Sequence, residues 1–286
     1  MPPSDSKHGH PAFDVVEFWR EHDRAMSQHE QFGNVTLSHD LYRGMPPWFN
    51  AYYAYFQRRA VQRLLRKCVL HPGIRTLDVG CGTGRWSELM LLRGWKPYGI
   101  DLGKQALHYA AEAWPESRFT CGMLPSLCFA DESFDLAVSI TVLQHIPYAQ
   151  QRESMDAIYR ALKSGGYIVI CETIDTSDPS PHIFSNSFEN WLNLFSEAGF
   201  QIMTIAGSEF LPHIRAFHWL YRKPKDSRTA TEHSDVSAIA QLLTKHPLMV
   251  ALVWLGIAAS YPLEYVASVI LPARWARLEC FLLQKV

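Results

Sequence analysis

The stretch TLDVGCGTGRW, residues 76–86, is a glycine-rich turn that follows a short apolar run. Its glycines are spaced G-x-G-x-G, starting at Gly80. A dinucleotide-binding turn is spaced G-x-G-x-x-G, and its third glycine lets the helix pack closely on the strand. Here Arg85 stands where that third glycine belongs, and Asp78, two residues before the first glycine, would repel a diphosphate. The turn therefore favours a ligand with a positively charged amino group.

Two titratable residues follow apolar runs further along the chain. His145 comes shortly after LAVSI, and Glu172 closes YIVIC. Runs that are apolar throughout are typical of strands buried on both faces of a sheet. Since ligands bind at the carboxyl ends of the strands in an open α/β sheet, we expect both side chains near one site. The sequence has no acidic cluster with metal-ligand spacing, so no metal is predicted.

The elements that must position these residues alternate between strand and helix patterns. Helical patterns separate most of the strand-type runs, which in chain order are RTLDVG, KPYGIDL, SRFTCG, FDLAVSI, GGYIVICE, QIMTIAG and, at the end of the chain, CFLLQKV. Such alternation predicts a parallel sheet with helices on both faces.

Five blocks in chain order resemble the class I S-adenosylmethionine-dependent methyltransferases. They are TLDVGCGTGRW for motif I, YGIDLG for the end of the second strand, LCFADESFDLAVSITVLQHIP for the fourth strand and its loop, ALKSGGYIVICE for the fifth strand, and FSEAGF for the helix before the sixth. Together they cover about residues 55–206. The resemblance implies an α/β fold with a Rossmann-like, seven-stranded, mostly parallel sheet of order 3-2-1-4-5-7-6. Helices would cover both faces, with an N-terminal helical lid and a helical insertion between strands 6 and 7.

The same resemblance implies S-adenosylmethionine as cofactor and S-adenosylhomocysteine as product. Asp78 would face the ammonium group, and Asp101 would accept both ribose hydroxyls, as a carboxylate can do bidentately. Met123 stands where the family often has an acidic residue for adenine, so adenine is expected to pack on apolar side chains. The expected cofactor-binding residues are Asp78, Gly80, Cys81, Gly82, Asp101, Leu102, Met123, Leu124 and Thr141.

The segments VLQHIP and ICETID resemble natural-product sugar O-methyltransferases of this family. This resemblance implies that His145 is the general base and that Glu172 orients it or binds the acceptor hydroxyl. In the alternative interpretation, His145 only caps the loop and contacts the cofactor. The other histidines, among them His22 and His182, are expected at the surface or in packing contacts.

The aromatic segment WFNAYYAYFQRR admits two interpretations. In the first, the segment forms a lid over the cofactor, and Trp48, Tyr52 and Tyr55 line an acceptor pocket. In the second, its aromatic residues are one face of a helix packed on the core. N-terminal segments cover the site in many relatives, so both interpretations stay open.

The patterns divide the chain into five parts. They are a disordered tail at 1–12, a helical or lid segment at 13–68, the cofactor-binding core at 69–209, a helical insertion over the acceptor site at 210–278, and the last core strand at 279–286. In the insertion, the apolar stretch Leu248–Ser260 has 13 residues. A membrane span needs about 20, so a transmembrane helix is rejected. Peripheral contact of an interfacial helix, through 247–272, stays open.

Composition excludes several classes of protein. The 286 residues carry a net charge of −1 with no basic block, so no nucleic-acid partner is expected. The six cysteines form no C-x-x-C pair, so neither zinc nor a disulfide framework is expected, and the cytoplasm fits best. The N-terminal MPPSDSKHGHPAF has no apolar core, so no signal peptide is expected. Oligomeric state is not predicted.

The sequence thus predicts a methyltransferase that acts on oxygen of a small molecule, a sugar or a lipid-linked acceptor. One alternative is N- or C-methylation of a natural product. Another is a catalytically silent protein of the same fold that binds a partner. A dehydrogenase is disfavoured by Arg85 and Asp78.

Overall fold

The computed structural model describes residues 13–25, 41, 47–174, 176, 180–211 and 247–286. The helices are α1 (Val15–Arg24), α2 (Pro47–Leu65), α3 (Arg85–Leu91), α4 (Lys104–Ala113), α5 (Tyr148–Ala161), α6 (Phe188–Glu197) and α7 (Pro247–Ile270). The strands are β1 (Arg75–Val79), β2 (Lys96–Asp101), β3 (Arg118–Cys121), β4 (Phe134–Ile140), β5 (Leu162–Thr173), β6 (Phe200–Ser208) and β7 (Leu278–Lys285). Short 3-10 helices lie at Leu143–His145 and Ala273–Trp275. The predicted tail at 1–12 and residues 212–246 of the predicted insertion lie outside the described residues.

The seven strands form one sheet in the order β3-β2-β1-β4-β5-β7-β6. The first five strands are parallel, and β7 runs antiparallel to both β5 and β6. This confirms the predicted order and the mostly parallel sheet. Helix α7 lies in the connection between β6 and β7, as the predicted insertion requires.

Apolar side chains cover both faces of the sheet because alternate residues of each strand point to opposite sides. On one face, Trp191 and Phe195 of α6 pack with Ile158 of α5 against the strands. On the other, Val61 of α2 and Met90 of α3 belong to a second cluster. The central strand β4 contributes to both clusters, which explains why five of its seven residues are apolar.

The pairing of β5 with β7 corrects one prediction made from the cysteines. Cys171 lies directly opposite Cys280 in the antiparallel register, and the structure joins them by a disulfide. The other four cysteines are not joined in a disulfide. The two bonded residues are separated by 109 positions, so no local spacing such as C-x-x-C indicates this pair.

Helix α7 corrects a second expectation. The sequence pattern predicts an apolar stretch that ends at Ser260, but the helix continues through Pro262 and Glu264 to Ile270, giving 24 residues. Of the part of the chain that the structure describes, one segment, Val250–Ile270, is long and apolar enough for a membrane span by length and composition. The prediction that the apolar segment is too short to span a membrane is therefore wrong. Whether α7 lies on a membrane or crosses it depends on the contacts of the helix.

Candidate active site

The glycine turn at the end of β1 packs directly on the loop that follows β4. Gly80 has a φ of +64°, and a Cβ atom there would lie 2.4 Å from Cγ2 of Val142. The Gly80 and Cys81 amides donate to the carbonyl of Ile100 in β2, at 2.8 and 3.1 Å. Only glycine suits both the left-handed backbone and the close approach.

The Asp101 carboxylate is fixed beside this turn. Its Oδ2 accepts from the amide of Gly82 at 2.9 Å, and its Oδ1 accepts from the amide of Gly103 at 2.8 Å. Hydrogen bonds to an ionised acceptor are roughly twice as strong as neutral ones. The carboxylate is half-buried at the end of β2, the position predicted for ribose recognition.

Asp78 lies beneath the turn and is only 1 % exposed. Its Oδ2 accepts from the Ser87 hydroxyl of α3 at 2.8 Å. Asp78 and Asp101 thus place two carboxylates near the carboxyl ends of the adjacent strands β1 and β2. Two anions here disfavour a diphosphate and fit a cationic amino acid attached to a nucleoside, so the residues present fit S-adenosylmethionine.

The expected adenine side of the site lies at the ends of β2 and β3. The Gly122 amide donates to the Asp101 carbonyl at 2.9 Å, which joins the two strand ends. Leu102 is half-buried, Leu124 is buried, and Met123 is 37 % exposed. The apolar residues expected to hold adenine therefore lie beside the ribose carboxylate.

Thr141 begins the loop after β4 in an unusual conformation. Its φ is +57°, a region that a β-branched residue rarely adopts. Its amide donates to the Cys171 carbonyl at 2.7 Å, which ties the strained residue to β5. Strain of this kind costs on the order of 1–3 kcal/mol and tends to occur at functional sites. It turns the chain from β4 into the 3-10 helix that carries His145.

Glu172 holds this loop from below. Its Oε1 accepts from the amides of Val142 and Leu143 at 3.1 and 2.9 Å, and its Oε2 accepts from that of Gln144 at 3.1 Å. The residue is fully buried, and burial raises the pKa of Glu172 to about 8 although the three amides act to lower it. The structure brings Glu172 to the backbone of the loop and not to the imidazole, so its contact with His145 is indirect.

A chain of hydrogen bonds assigns the tautomer of His145. Its Nδ1 lies 3.1 Å from the carbonyl of His182, which can only accept, so Nδ1 carries the proton. Its Nε2 lies 3.3 Å from the amide nitrogen of Gln144, whose oxygen accepts from the amide and hydroxyl of Thr173 at 3.1 and 2.9 Å. The Gln144 nitrogen therefore donates, and Nε2 holds the basic lone pair.

Sequence reasoning missed the aromatic cover over His145. The indole of Trp19, from α1, lies edge-on at 4.7 Å, and the ring of His182 is stacked at 5.5 Å. Phe18 in turn stacks on His182 at 4.3 Å. His182 is therefore part of the site and not a plain surface residue. No spacing signal in the sequence connects α1 with a loop so far along the chain.

Helix α1 is fastened over the site by Asp23. This buried carboxylate accepts from the amides of Gln105 and Ala106 at 3.1 and 2.9 Å, at the start of α4. The first amides of a helix have no partner within the helix, and an acidic side chain there satisfies them. Within the predicted segment 13–68, α1 is thus the helix that contacts both His145 and the start of α4.

The aromatic residues predicted for the acceptor pocket meet α7 instead. Tyr52 is 2 % exposed, packs on Tyr261 at 5.0 Å and accepts from the Ser260 hydroxyl at 3.4 Å. Burial raises its pKa well above the usual range. Tyr55 is exposed and lies 5.3 Å from Tyr261, and Trp48 is half-buried. The structure thus places these residues in the packing between α2 and α7.

Within the described ranges, no group of three or more histidine, cysteine, aspartate or glutamate side chains is placed to hold a metal. The polar groups described above include carboxylates, backbone amides and the imidazoles of His145 and His182, at the carboxyl end of the sheet.

Comparison with known proteins gives a consistent result. Residues 77–170 match the methyltransferase domain family. A malonyl-(acyl-carrier protein) O-methyltransferase of Pectobacterium atrosepticum is 30 % identical over 125 residues, covering 44 % of this chain and 49 % of that protein. A ubiquinone biosynthesis O-methyltransferase of Idiomarina loihiensis is 36 % identical over 103 residues, covering 34 % of this chain and 41 % of that protein. The chain spans about half the length, 49 % and 41 %, of these curated relatives.

Among solved structures, the (4+2)-cyclase SpnF superposes with a TM-score of 0.54 at 18 % identity. The match covers 79 % of this chain and 80 % of that one. This likeness shows the fold alone, and that protein is described as a cyclase.

Proposed function

Because the chain belongs to the class I S-adenosylmethionine-dependent methyltransferases, with residues 77–170 as its methyltransferase domain, we propose that it methylates oxygen. The acceptor is a small molecule, a sugar or a lipid-linked compound, and His145 is the general base. S-adenosylmethionine is the cofactor. Two relatives named as O-methyltransferases support the choice of oxygen.

The observation that carries this proposal is the oriented imidazole of His145. Its Nδ1 proton is held by the His182 carbonyl at 3.1 Å, so Nε2 is the nitrogen able to accept a proton. When bound, S-adenosylmethionine supplies an electrophilic methyl group on a sulfonium. A neutral hydroxyl is a weak nucleophile, and a base that removes its proton contributes about 10²–10⁴-fold to the rate.

The residues around His145 prepare it for this step. The acceptor hydroxyl would replace the Gln144 amide as donor to Nε2, and its proton would move to that nitrogen. The imidazolium that forms keeps its Nδ1 proton on the His182 carbonyl, now as a charge-assisted hydrogen bond. Trp19 covers the ring and limits access of water to it. Glu172 serves as a positioning residue, since it fixes the backbone of the loop.

The test begins with identification of the acceptor. The protein is incubated with methyl-labelled S-adenosylmethionine and an extract of small molecules and lipids, and the labelled product is identified by mass.

We then expect His145→Ala to lower kcat by about 10²–10⁴-fold, with little change in cofactor affinity measured by calorimetry. His108→Ala, an exposed histidine on α4 that pairs with Glu112, is the matched control. A loss below about tenfold would argue against a proton-transfer role.

The alternatives predict different results in the same experiments. For N- or C-methylation, the labelled product carries its methyl group on nitrogen or carbon, and an amine that binds deprotonated needs no base. A catalytically silent protein of this fold would give no labelled product. Failure to bind the cofactor in calorimetry would further favour the silent protein.

The location of the protein in the cell is a separate question from its chemistry. We propose that peripheral contact with a membrane occurs through residues 247–272. The apolar surface of α7 supports this contact. The cytoplasmic location expected from the cysteine spacing stays a prediction, because the Cys171–Cys280 disulfide removes the ground for it.

A further inference from the structure

Helix α7 has two faces of opposite character. Its inner face is buried against the rest of the protein and consists of residues three or four positions apart, namely Ile257, Ser260, Glu264, Ala267 and Ser268. Its outer face is exposed and consists of Leu248, Ala251, Leu252, Trp254, Leu255, Gly256, Ala258, Ala259, Pro262, Leu263, Tyr265, Val266, Val269 and Ile270. Glu264, the only charged residue of the helix sequence, lies on the inner face.

The inner face is attached to the protein by polar contacts. Glu264 accepts from the backbone amides of Phe210 and Leu211 at 2.8 and 2.9 Å. The Arg63 guanidinium of α2 donates to the carbonyl of Ser268. At the border with the outer face, the Arg59 guanidinium lies 3.9 Å above the ring of Tyr265. These contacts belong to a helix that is part of the folded enzyme and not to a free segment.

The outer face is too large and too apolar to remain in water. It follows the length of a helix of 24 residues, which is about 36 Å. Only 17 % of the apolar window is buried, and Leu248 and Ile270, near the two ends, are 75 % and 69 % exposed. Isolated exposed apolar residues are ordinary, but a continuous apolar surface of this extent marks an interaction site.

We propose that the outer face of α7 lies in the interfacial region of a lipid bilayer, with the helix parallel to the membrane plane. Protein-binding surfaces combine an apolar centre with a polar rim and about one hydrogen bond per 100–200 Å². The outer face offers no charged or amide side chain for such a rim. Trp254, Tyr265 and, just beyond the helix, Trp275 are exposed, and such aromatic side chains favour the headgroup level.

An exposed charge after the end of α7 favours anionic lipid. Arg274 is exposed after the helix, and its aliphatic part can lie along the bilayer while its charge reaches the headgroups. In the sequence that leads into α7, residues 222–246 contain five basic and three acidic residues, and Lys245 lies two positions before the helix. Basic residues next to an apolar helix add to membrane affinity through attraction to anionic headgroups.

The inner face argues that α7 lies on the membrane and does not cross it. A spanning helix would have to leave α2 and carry Glu264 into the hydrocarbon, which would break its bonds to two backbone amides. A charged side chain at the bilayer centre costs at least about 2.5 kcal/mol on the most lenient scales. A helix with one face in lipid keeps every contact that the structure contains.

This arrangement links the membrane to the proposed active site. Helix α2 contacts α7 through Tyr52, and its Gln57 accepts from Arg85, next to the glycine turn, at 3.0 Å. Docking would hold the site close to the bilayer, which suits a lipid-linked or otherwise apolar acceptor. The docking specifies the peripheral membrane contact already proposed for residues 247–272, and only its link to an acceptor rests on the proposed methylation.

The experiment is flotation of the full chain with vesicles of phosphatidylcholine, with and without phosphatidylglycerol. We expect the wild-type protein to float with both, more strongly with the anionic vesicles. Leu255→Glu combined with Leu263→Glu places two charges on the outer face and should reduce binding by about tenfold or more. The matched control is Val69→Glu with Leu92→Glu, which changes two exposed apolar residues away from α7. Calorimetric binding of S-adenosylmethionine shows that each variant is folded.

Three results would overturn the proposal. The first is that the wild-type protein stays out of both vesicle fractions. The second is a dimer in sedimentation that the α7 variant, but not the control, converts to a monomer, since a second copy would then cover the face. The third is binding that survives a high-pH carbonate wash, which would indicate a spanning helix. Flotation measures membrane binding without an acceptor. Failure of the proposed methylation would therefore be detected in a different experiment and would not affect this result.

Discussion

Gly80 and Val142 show, at the level of single residues, how two segments of the site depend on each other. The turn after β1 approaches the loop after β4 so closely that a methyl group on Gly80 would lie 2.4 Å from the Val142 side chain. The cofactor-binding turn and the loop of His145 therefore share one packing contact. A change in either segment is expected to disturb the other.

We expect Gly80→Ala to cost about 1–2 kcal/mol for its left-handed backbone and about 1–3 kcal/mol more for the collision. Gly165→Ala separates these terms, because Gly165 has a φ of +74° but nothing within 4 Å of an added Cβ. Denaturant unfolding measures both, and calorimetry should show weaker cofactor binding for Gly80→Ala alone.

The free-energy cost of the steric collision between Gly80→Ala and Val142 can be tested separately. In a Val142→Ala background the obstructing methyl groups are absent, so Gly80→Ala should lose most of its excess cost. Additive free energies in this double-mutant cycle would mean that the contact between turn and loop has no energetic weight.

At the level of elements, α1 is the part of the fold whose role is least visible in its own sequence. It covers His145 with Trp19 and is attached to the start of α4 by Asp23. Asp14 also caps α1 itself, accepting from the amides of Val16 and Glu17 at 3.0 Å. The helix is thus stable locally, but its position depends on one carboxylate.

We expect Asp23→Ala to destabilise the protein by about 0.5–2 kcal/mol, the usual cost of losing a helix cap. Its larger effect should be local, because α1 loses its attachment and Trp19 leaves the imidazole. Hydrogen exchange should therefore increase in α1 and the first turn of α4, with a lower kcat for the labelled product. Arg20→Ala, on the exposed side of α1, should leave both unchanged. Equal exchange in the two variants would contradict the attachment.

At the level of the whole molecule, two buried carboxylic acids lie opposite each other where β5 pairs with β7. Glu172 and Glu279 are partners in the register, and both are fully buried. Burial raises the pKa of Glu279 to about 8, with a further contribution from Glu189. Neither oxygen of Glu279 has a hydrogen-bond partner among the residues that the structure describes.

These shifts predict how global stability depends on pH. Both pKa values are raised above the ordinary value of 4.5 to about 8, so the folded state binds more protons than the unfolded state between these limits. Stability is therefore fully present below the ordinary value and decreases as the pH rises through about 8. Glu279→Gln removes one of the two titrations, so its free energy of unfolding should fall less steeply with pH.

Thermal or denaturant unfolding across this pH range measures the effect. Glu112→Gln, an exposed carboxyl on α4, is the control and should follow the wild-type curve. Parallel curves for the wild type and Glu279→Gln would show that the pKa of Glu279 does not differ between the folded and unfolded states, which would contradict the prediction.

The sequence by itself determined the alternation of strands and helices and the position of the cofactor turn, because these depend on local patterns, whereas the order of the strands followed from the family resemblance. The structural role of an apolar run such as LAVSI can be predicted from the few residues around it. The same is true of the G-x-G-x-G spacing with Asp78 and Asp101. For the same reason the positions of His145 and Glu172 at strand ends follow from the amino-acid pattern alone.

Only the tertiary structure decided which distant residues meet. It paired Cys171 with Cys280, placed Trp19 and His182 around His145, and placed Tyr52, for which a pocket and a packing role were both open, in the packing with α7. It also extended α7 through Pro262 and left one long face exposed. Such contacts arise from the register of strands and the docking of helices. A periodic pattern along the chain predicts neither of these.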